Sequence, residues 1–203
     1  MTLNKWVKTH LGKYVKYNKH TEGYQCVDLA KSYCVEVFDF FKKYPELEKS
    51  WAWGDARKWY ENYSYHKELT DNFVRMANTP TFIPIEGDIC VFTEKTKYGH
   101  ICVAYNNSST TKKIYTVDQN YPTGSKVKYC THRYDSEGFL GVLRPYRRIR
   151  ANVNVRAKPS MSGAIIGEKR FGTIVTIYEL DSTKKWARIG KGEWISYSYV
   201  EEV

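Results

Sequence analysis

No apolar run in these 203 residues approaches the roughly 18 needed to span a bilayer, so membrane insertion is excluded. The start, Met1-Thr2-Leu3-Asn4-Lys5-Trp6-Val7-Lys8, turns polar too soon for a signal peptide. A soluble chain made in the cytoplasm is expected, one that acts elsewhere only after release. Cysteine is scarce and odd in number: the five thiols, at 26, 34, 90, 102 and 130, cannot all pair. Reduced thiols fit best. No C-x-x-C occurs, and the Cys and His positions lack the spacing of a zinc cluster, so neither a structural metal nor a cofactor is expected. No cluster of bases and aromatics is patterned for stacking on nucleic-acid strands, which argues against that partner.

Positive charge is what the chain has in excess, +10 in all. Residues 1–147 hold 22 Lys+Arg against 16 Asp+Glu, and residues 148–203 hold 10 against 6. The excess is spread over both parts and suits an anionic polymer, such as the phosphate-rich polymers of a bacterial wall.

From Cys26, apolar or weakly polar residues fall at 26, 29, 30, 33, 34, 37, 38 and 41, one face of a helix predicted to run to about Lys43. Cys26 sits in its first turn, where the helix dipole favours a thiolate, and Gly23 can turn the chain sharply into it. A buried hydrophobe would have the same pattern. Cys34, two turns on, reads as core. Trp51, Trp53 and Trp59 either line a groove or cap the helical layer, and capping is the simpler reading. A further helix is predicted over 67–77.

After Pro80 and Pro84 the period changes from helical to alternating. Strands are predicted at 87–92, 100–105, 113–118, 126–131 and 139–143, an antiparallel meander. Helices followed by such a sheet make an α+β layout. Pro145 and Arg147-Arg148-Ile149-Arg150 mark a boundary, after which short β runs broken by glycines predict a small β-barrel module.

A catalytic Cys needs a base, and the base an orienter. His10, His20, His66 and His132 lie in polar surroundings and read as surface residues. His100 opens a strongly apolar strand straight after Gly99, so its ring can project toward the helix layer. The next strand ends in Val117-Asp118-Gln119-Asn120. In a hairpin that end lies beside His100, and alternation puts Asp118 and Asn120 on one face. Gln25 can donate its side-chain N–H to an oxyanion, together with the Cys26 backbone N–H.

The segments Tyr24-Gln25-Cys26-Val27-Asp28-Leu29, Pro84-Ile85-Glu86-Gly87-Asp88-Ile89-Cys90-Val91-Phe92, Gly99-His100-Ile101-Cys102-Val103 and Val117-Asp118-Gln119-Asn120-Tyr121 together resemble a CHAP domain. The resemblance covers nearly all of residues 1–146. It implies a papain-like fold and cleavage of an amide bond in bacterial peptidoglycan through a Cys26 thioester. Cys26 would be the nucleophile, His100 the base, Asp118 and Asn120 the polar partners and Gln25 the oxyanion donor. Several phage members carry an aspartate-rich calcium loop before the Cys. The stretch Tyr17-Asn18-Lys19-His20-Thr21-Glu22-Gly23 has no aspartate, so calcium independence is expected.

Val153-Asn154-Val155-Arg156-Ala157-Lys158-Pro159-Ser160 and Gly192-Glu193-Trp194-Ile195 resemble a bacterial SH3 domain covering residues 150–203. That implies a wall-binding module, with Trp186, Trp194, Tyr197 and Tyr199 as possible contacts, although Trp186 and Trp194 equally suit a barrel core. The pairing resembles a phage endolysin. Endopeptidase is the leading activity, N-acetylmuramoyl-L-alanine amidase the alternative, and a non-catalytic wall binder the rival from another class. The expected partners are peptidoglycan and anionic wall polymers.

Overall fold

The computed structural model describes residues 1–17, 23–93, 97–134 and 138–202. The calcium-loop segment 18–22, with His20, lies outside them. The chain forms two compact units, Met1–Arg144 and Pro145–Val203.

In the first unit, helices α1 (Leu3–His10), α2 (Cys26–Phe38), α3 (Phe40–Lys43), α4 (Glu46–Lys49), α5 (Ala56–Glu61) and α6 (Lys67–Asn72) precede strands β1 (Phe73–Ala77), β2 (Ile89–Phe92), β3 (His100–Ala104), β4 (Lys113–Asp118), β5 (Lys128–Arg133) and β6 (Phe139–Pro145). The fold is α+β, as expected. Helix α2 is shorter than its periodicity predicts. Asp39 takes a left-handed conformation at φ 55° and closes the helix, and α3 then restarts the chain in a new direction. The helix predicted over 67–77 divides at Asn72, whose side-chain amide folds back on the Glu68 carbonyl at 2.8 Å. Residues 73–77 are instead an edge strand, held by pairing that helical periodicity does not register.

The sheet order is β1-β6-β2-β3-β4-β5. The meander expected from sequence therefore holds from β2 to β5, while β6 returns to lie between β2 and β1. Buried side chains divide by strand parity. Ile89, Val91, Ile101, Val103 and Val117 face the helices and share a core with Leu29, Tyr33, Cys34 and Trp6. Cys90, Phe92, Cys102, Ala104 and Ile114 face the other side, with Phe139 and Val142. Trp59 and Trp53 are core, Trp51 is half-buried, and the three rings pack on one another and on Phe40, so they cap the helical layer. Arg144 reaches Asp88 through Nη2 at 2.6 Å and Nε at 2.9 Å, a fully buried ion pair that ties β6 to the turn before β2.

The second unit is all β: β7 (Arg147–Ile149), β8 (Val153–Arg156), β9 (Ile165–Lys169), β10 (Ile174–Val175), β11 (Glu179–Leu180), β12 (Trp186–Gly190), β13 (Glu193–Ser196) and β14 (Val200–Glu202). They form two small antiparallel sheets, β10-β7-β14 and β11-β12-β13-β8-β9, closing a core of Ile149, Val153, Val155, Ile177, Trp186, Ala187 and Ile195. Trp186 is thus a core residue, Trp194 is half-buried and Tyr199 is exposed. Among the described residues no helix is long and apolar enough to cross a membrane.

Candidate active site

Cys26 opens α2, half-buried at the edge of the helix-side core. Its position is fixed by a set of hydrogen bonds around Gln25, the N-cap. The Gln25 backbone N–H donates to Asp28 Oδ2 at 2.9 Å, and Asp28 Oδ1 accepts from the Tyr17 N–H at 3.1 Å. The Gln25 carbonyl accepts from Gln119 Nε2 at 2.9 Å. Gln119, fully buried, also donates to the Val15 carbonyl at 2.8 Å and accepts from the Val15 N–H at 2.6 Å. One amide thus clamps the segment around Val15, the head of α2 and the end of β4 together. Sequence reading passed over Gln119, although it stands between two nominated residues.

His100 begins β3. Gly99 before it has φ +76°, and a Cβ there would lie 2.5 Å from the Phe92 carbonyl oxygen, so only glycine allows this entry. The ring does not project toward the helix layer as expected. His100 shares the parity of Cys102 and packs near Phe92, Tyr121 and His132, on the sheet face turned from the helices. It meets Cys26 at the end of the strand, where the two residues line one cleft.

Asp118 ends β4. Pairing of Val103 with Val117 sets it across from Cys102, and its Oδ2 lies 3.5 Å from His100 Nε2. That is an ion-pair distance rather than a hydrogen bond. The same oxygen lies 2.5 Å from His132 Nε2. His132 is fully buried, which corrects its reading as a surface residue. It sits on the edge strand β5 among Lys128, Tyr129, Thr131 and Arg133, and that polar company hid it; its pairing opposite Ile114 turns it inward. Of the other histidines described, His10 pairs with Glu36 at 2.9 Å and His66 packs on Trp53. Both are half-buried rather than surface residues.

The electrostatics follow from this burial. Desolvation works against a charge on His100, but Asp118, Cys102 and Cys26 beside it hold its proton, and the balance lies well above the ordinary histidine range. His132 is opposed by desolvation too, yet Cys102 and Asp118 push it up to about 10. Burial would raise Asp118, but the two imidazoles outweigh it and keep the carboxyl well below the usual carboxylate range. Cys34 and Cys102 are pushed far up by burial.

Asn120 does not share the face of Asp118. The strand has ended, Asn120 takes φ +63°, and alternation no longer applies. Its Nδ2 donates to Gln25 Oε1 at 3.0 Å, and its Oδ1 accepts from the Gly124 N–H at 2.6 Å. Asp118 thus stands by the histidine and Asn120 by the glutamine. The cleft beyond Cys26 and His100 measures about 1500 Å³, bordered by Tyr14, Tyr24, Trp51 and Tyr98. The Tyr14 and Tyr24 rings stack with centroids 4.5 Å apart.

Although no zinc spacing is legible along the chain, folding gathers potential ligand atoms of His100, Cys102, Asp118 and His132 within 4.8 Å of one another.

Comparison with known proteins finds two family models along the chain: the CHAP domain over residues 15–120 and the bacterial SH3 domain over residues 151–201. No curated protein matches. Among solved structures, a wild-type endolysin, LysIME-EF1, is similar at 25% identity and TM-score 0.49, covering 71% of this chain. The chain spans 64% of that protein, just under two thirds of its length. Ly7917 is similar over 97% of this chain and 92% of its own, at 13% identity and TM-score 0.47. Ly7917 with the hydrolyzing product of MDP matches at 14% identity and TM-score 0.47, over 97% of this chain and 93% of its own. The first model takes in just over half the chain, together with Gln25, Cys26, His100, Asp118 and Asn120, and the chain belongs to the CHAP family.

Proposed function

We propose that this chain is a peptidoglycan hydrolase, endolysin-like, in which residues 1–146 cleave an amide bond of the wall peptide and residues 150–203 hold the enzyme on the wall. The observation that carries the reading is the line Cys26, His100, Asp118, with the thiol at a helix N-terminus, the imidazole lining the same cleft and the carboxylate behind the imidazole.

In this mechanism the Cys26 proton resides on His100, and the sulfur attacks the scissile carbonyl carbon as a thiolate paired with the imidazolium. Nε2 faces Asp118, which leaves Nδ1 to exchange the proton. The tetrahedral oxyanion accepts hydrogen bonds from the Cys26 N–H and the Gln25 amide, whose Oε1 is held by Asn120 so that the amino end is presented. His100 then returns the proton to the leaving amine, and water, deprotonated by the same imidazole, releases the thioester. Asp118 stays ionised throughout and steadies the imidazolium. Tyr14, Tyr24, Trp51 and Tyr98 supply flat faces for sugar or peptide along the cleft.

Purified walls treated with wild type and with Cys26→Ser test this. Lysis by wild type, falling at least about 10³-fold in the variant, is expected for loss of the nucleophile. Full activity of Cys26→Ser refutes the thiol mechanism, and no lysis by either leaves a non-catalytic binder. Mass spectrometry of the digest identifies the bond. A new peptide N-terminus within the stem or cross-bridge marks an endopeptidase, the leading reading; a free lactyl group on the sugar marks an amidase.

A further inference from the structure

The quartet behind the nucleophile has a chemistry that acyl transfer does not use. His100 and Cys102 are alternate residues of β3 and share a face; Asp118 lies across from Cys102, and His132 reaches the same face from β5. Four donor atoms from three strands lie within 4.8 Å of one another, all buried. Two of the atoms in that space have no hydrogen-bond partner: His100 Nε2 and Asp118 Oδ1. His100 is 4% exposed and Asp118 0%. Buried polar atoms are nearly always satisfied, so two such atoms in one cluster point to something that completes them.

We infer that this quartet is a zinc site. Two imidazoles, a thiol and a carboxylate are the ligands that Zn²⁺ takes in tetrahedral array, whereas Ca²⁺ and Mg²⁺ want oxygens. Bonds of about 2.0–2.3 Å put tetrahedral donors roughly 3.3–3.8 Å apart. The 3.5 Å between His100 and Asp118 already fits, and the 2.5 Å between His132 and Asp118 has to open. The widest separation has to close by about an ångström. On binding, Cys102 loses its proton to solvent, as does either imidazole that carries a charge. Thiolate and carboxylate then balance the two charges of the ion exactly where a buried site needs it. The ion enters by the cleft, which His100 lines.

A consequence follows that rests on the catalytic reading above. An imidazole that gives one nitrogen to a metal keeps its proton on the other and cannot accept the proton of Cys26. The filled site is therefore a silenced enzyme, and the empty one the working form.

Cobalt(II), a spectroscopic stand-in for zinc, tests binding apart from activity. The full chain is titrated with it under reducing conditions, in wild type, Cys102→Ser, His132→Gln and Cys26→Ser. The expected result is one cobalt per chain with a thiolate-to-cobalt charge-transfer band, displaced by zinc. The band persists in Cys26→Ser and vanishes in Cys102→Ser, while His132→Gln binds at least about tenfold more weakly. Circular dichroism confirms that each variant is folded, and His132→Gln stands in if Cys102→Ser is not. A band lost in Cys26→Ser but kept in Cys102→Ser overturns the site in favour of the nucleophile itself as ligand. No band in a wild type that lyses walls also overturns it and leaves the catalytic reading standing. Binding through Cys102 with lysis unchanged supports the site and refutes His100 as the base.

Discussion

Asp118 carries two imidazoles on one carboxylate oxygen, and the difference between them separates what was legible in the sequence from what was not. His100 announces itself by opening an apolar strand after a glycine. His132 lies in a polar edge strand and becomes visible only when pairing with Ile114 fixes its face. Gln119 is a second hidden residue, because an amide among amides carries no periodic signal. Its three hydrogen bonds nevertheless set where α2 begins relative to β4. Replacing it with leucine keeps the bulk and strands the Val15 N–H and carbonyl, while the Gln25 carbonyl keeps only the Asp28 N–H at 3.1 Å. Each buried group so orphaned costs about 1–3 kcal/mol, and a loss at the upper end of that range in urea denaturation is expected for Gln119→Leu. Cys26 is then mispositioned rather than removed, so kcat falls while KM stays. A variant of wild-type stability and wild-type kcat shows that the clamp does not position the nucleophile.

At the level of elements, the entry to β3 depends on Gly99. Alanine there combines a left-handed backbone with a Cβ 2.5 Å from the Phe92 carbonyl, and the 3.1 Å approach to the Arg57 Cβ leaves little room to yield. The strain is worth roughly 1–3 kcal/mol. Because β3 begins at the next residue, wall lysis is expected to fall more than stability does; equal activity at lower stability refutes that coupling. In the second unit the turn before β12 is organised by Asp181. Its Oδ1 accepts from the N–H groups of Lys185 at 2.9 Å and Trp186 at 2.8 Å, and its Oδ2 from Thr183. Burial is the largest single influence on its pKa and raises it, but the hydrogen bonds from Thr183, Trp186 and Lys185 together outweigh that and lower it. A carboxyl with a lowered folded pKa contributes stability above its unfolded value, about 3.9, and loses it as pH falls through the folded value. Asp181→Ala is therefore expected to destabilise by roughly 1–3 kcal/mol at neutral pH, with the gap narrowing below about pH 4 in thermal melts. A gap independent of pH rules out the carboxylate as its cause. Elements of this kind were legible in proportion to their locality. The alternation of β2 to β5 and the glycine-bounded runs of the second unit depend on near neighbours, and the sequence reading finds them. The break at Asp39 is a left-handed backbone position that apolar periodicity does not register, and the strand β1 and the return of β6 depend on partners far along the chain.

On the scale of the whole molecule, charge is the property that the proposed wall attachment draws on. Residues 1–147 carry 22 basic against 16 acidic side chains and residues 148–203 carry 10 against 6, so an anionic polymer is the partner that the charge of both parts suits. That attraction acts through solvent. The screening length shrinks from about 30 Å at 0.01 M salt to about 3 Å at 1 M, so retention on walls is expected to depend strongly on salt. The groups of the candidate site respond differently, because Asp118 and its neighbour His132 are fully buried and His100 nearly so, and buried pairs are screened much less. Two measurements on the same protein therefore diverge. Co-sedimentation with purified walls is expected to weaken steeply between about 0.05 and 0.5 M sodium chloride, while cleavage of a short uncharged wall peptide in solution stays nearly constant. Retention that survives high salt identifies a contact carried by apolar and hydrogen-bonding groups of the second unit instead. A peptide assay that falls in parallel with retention shows that salt acts on the active site itself, against the burial that shields it.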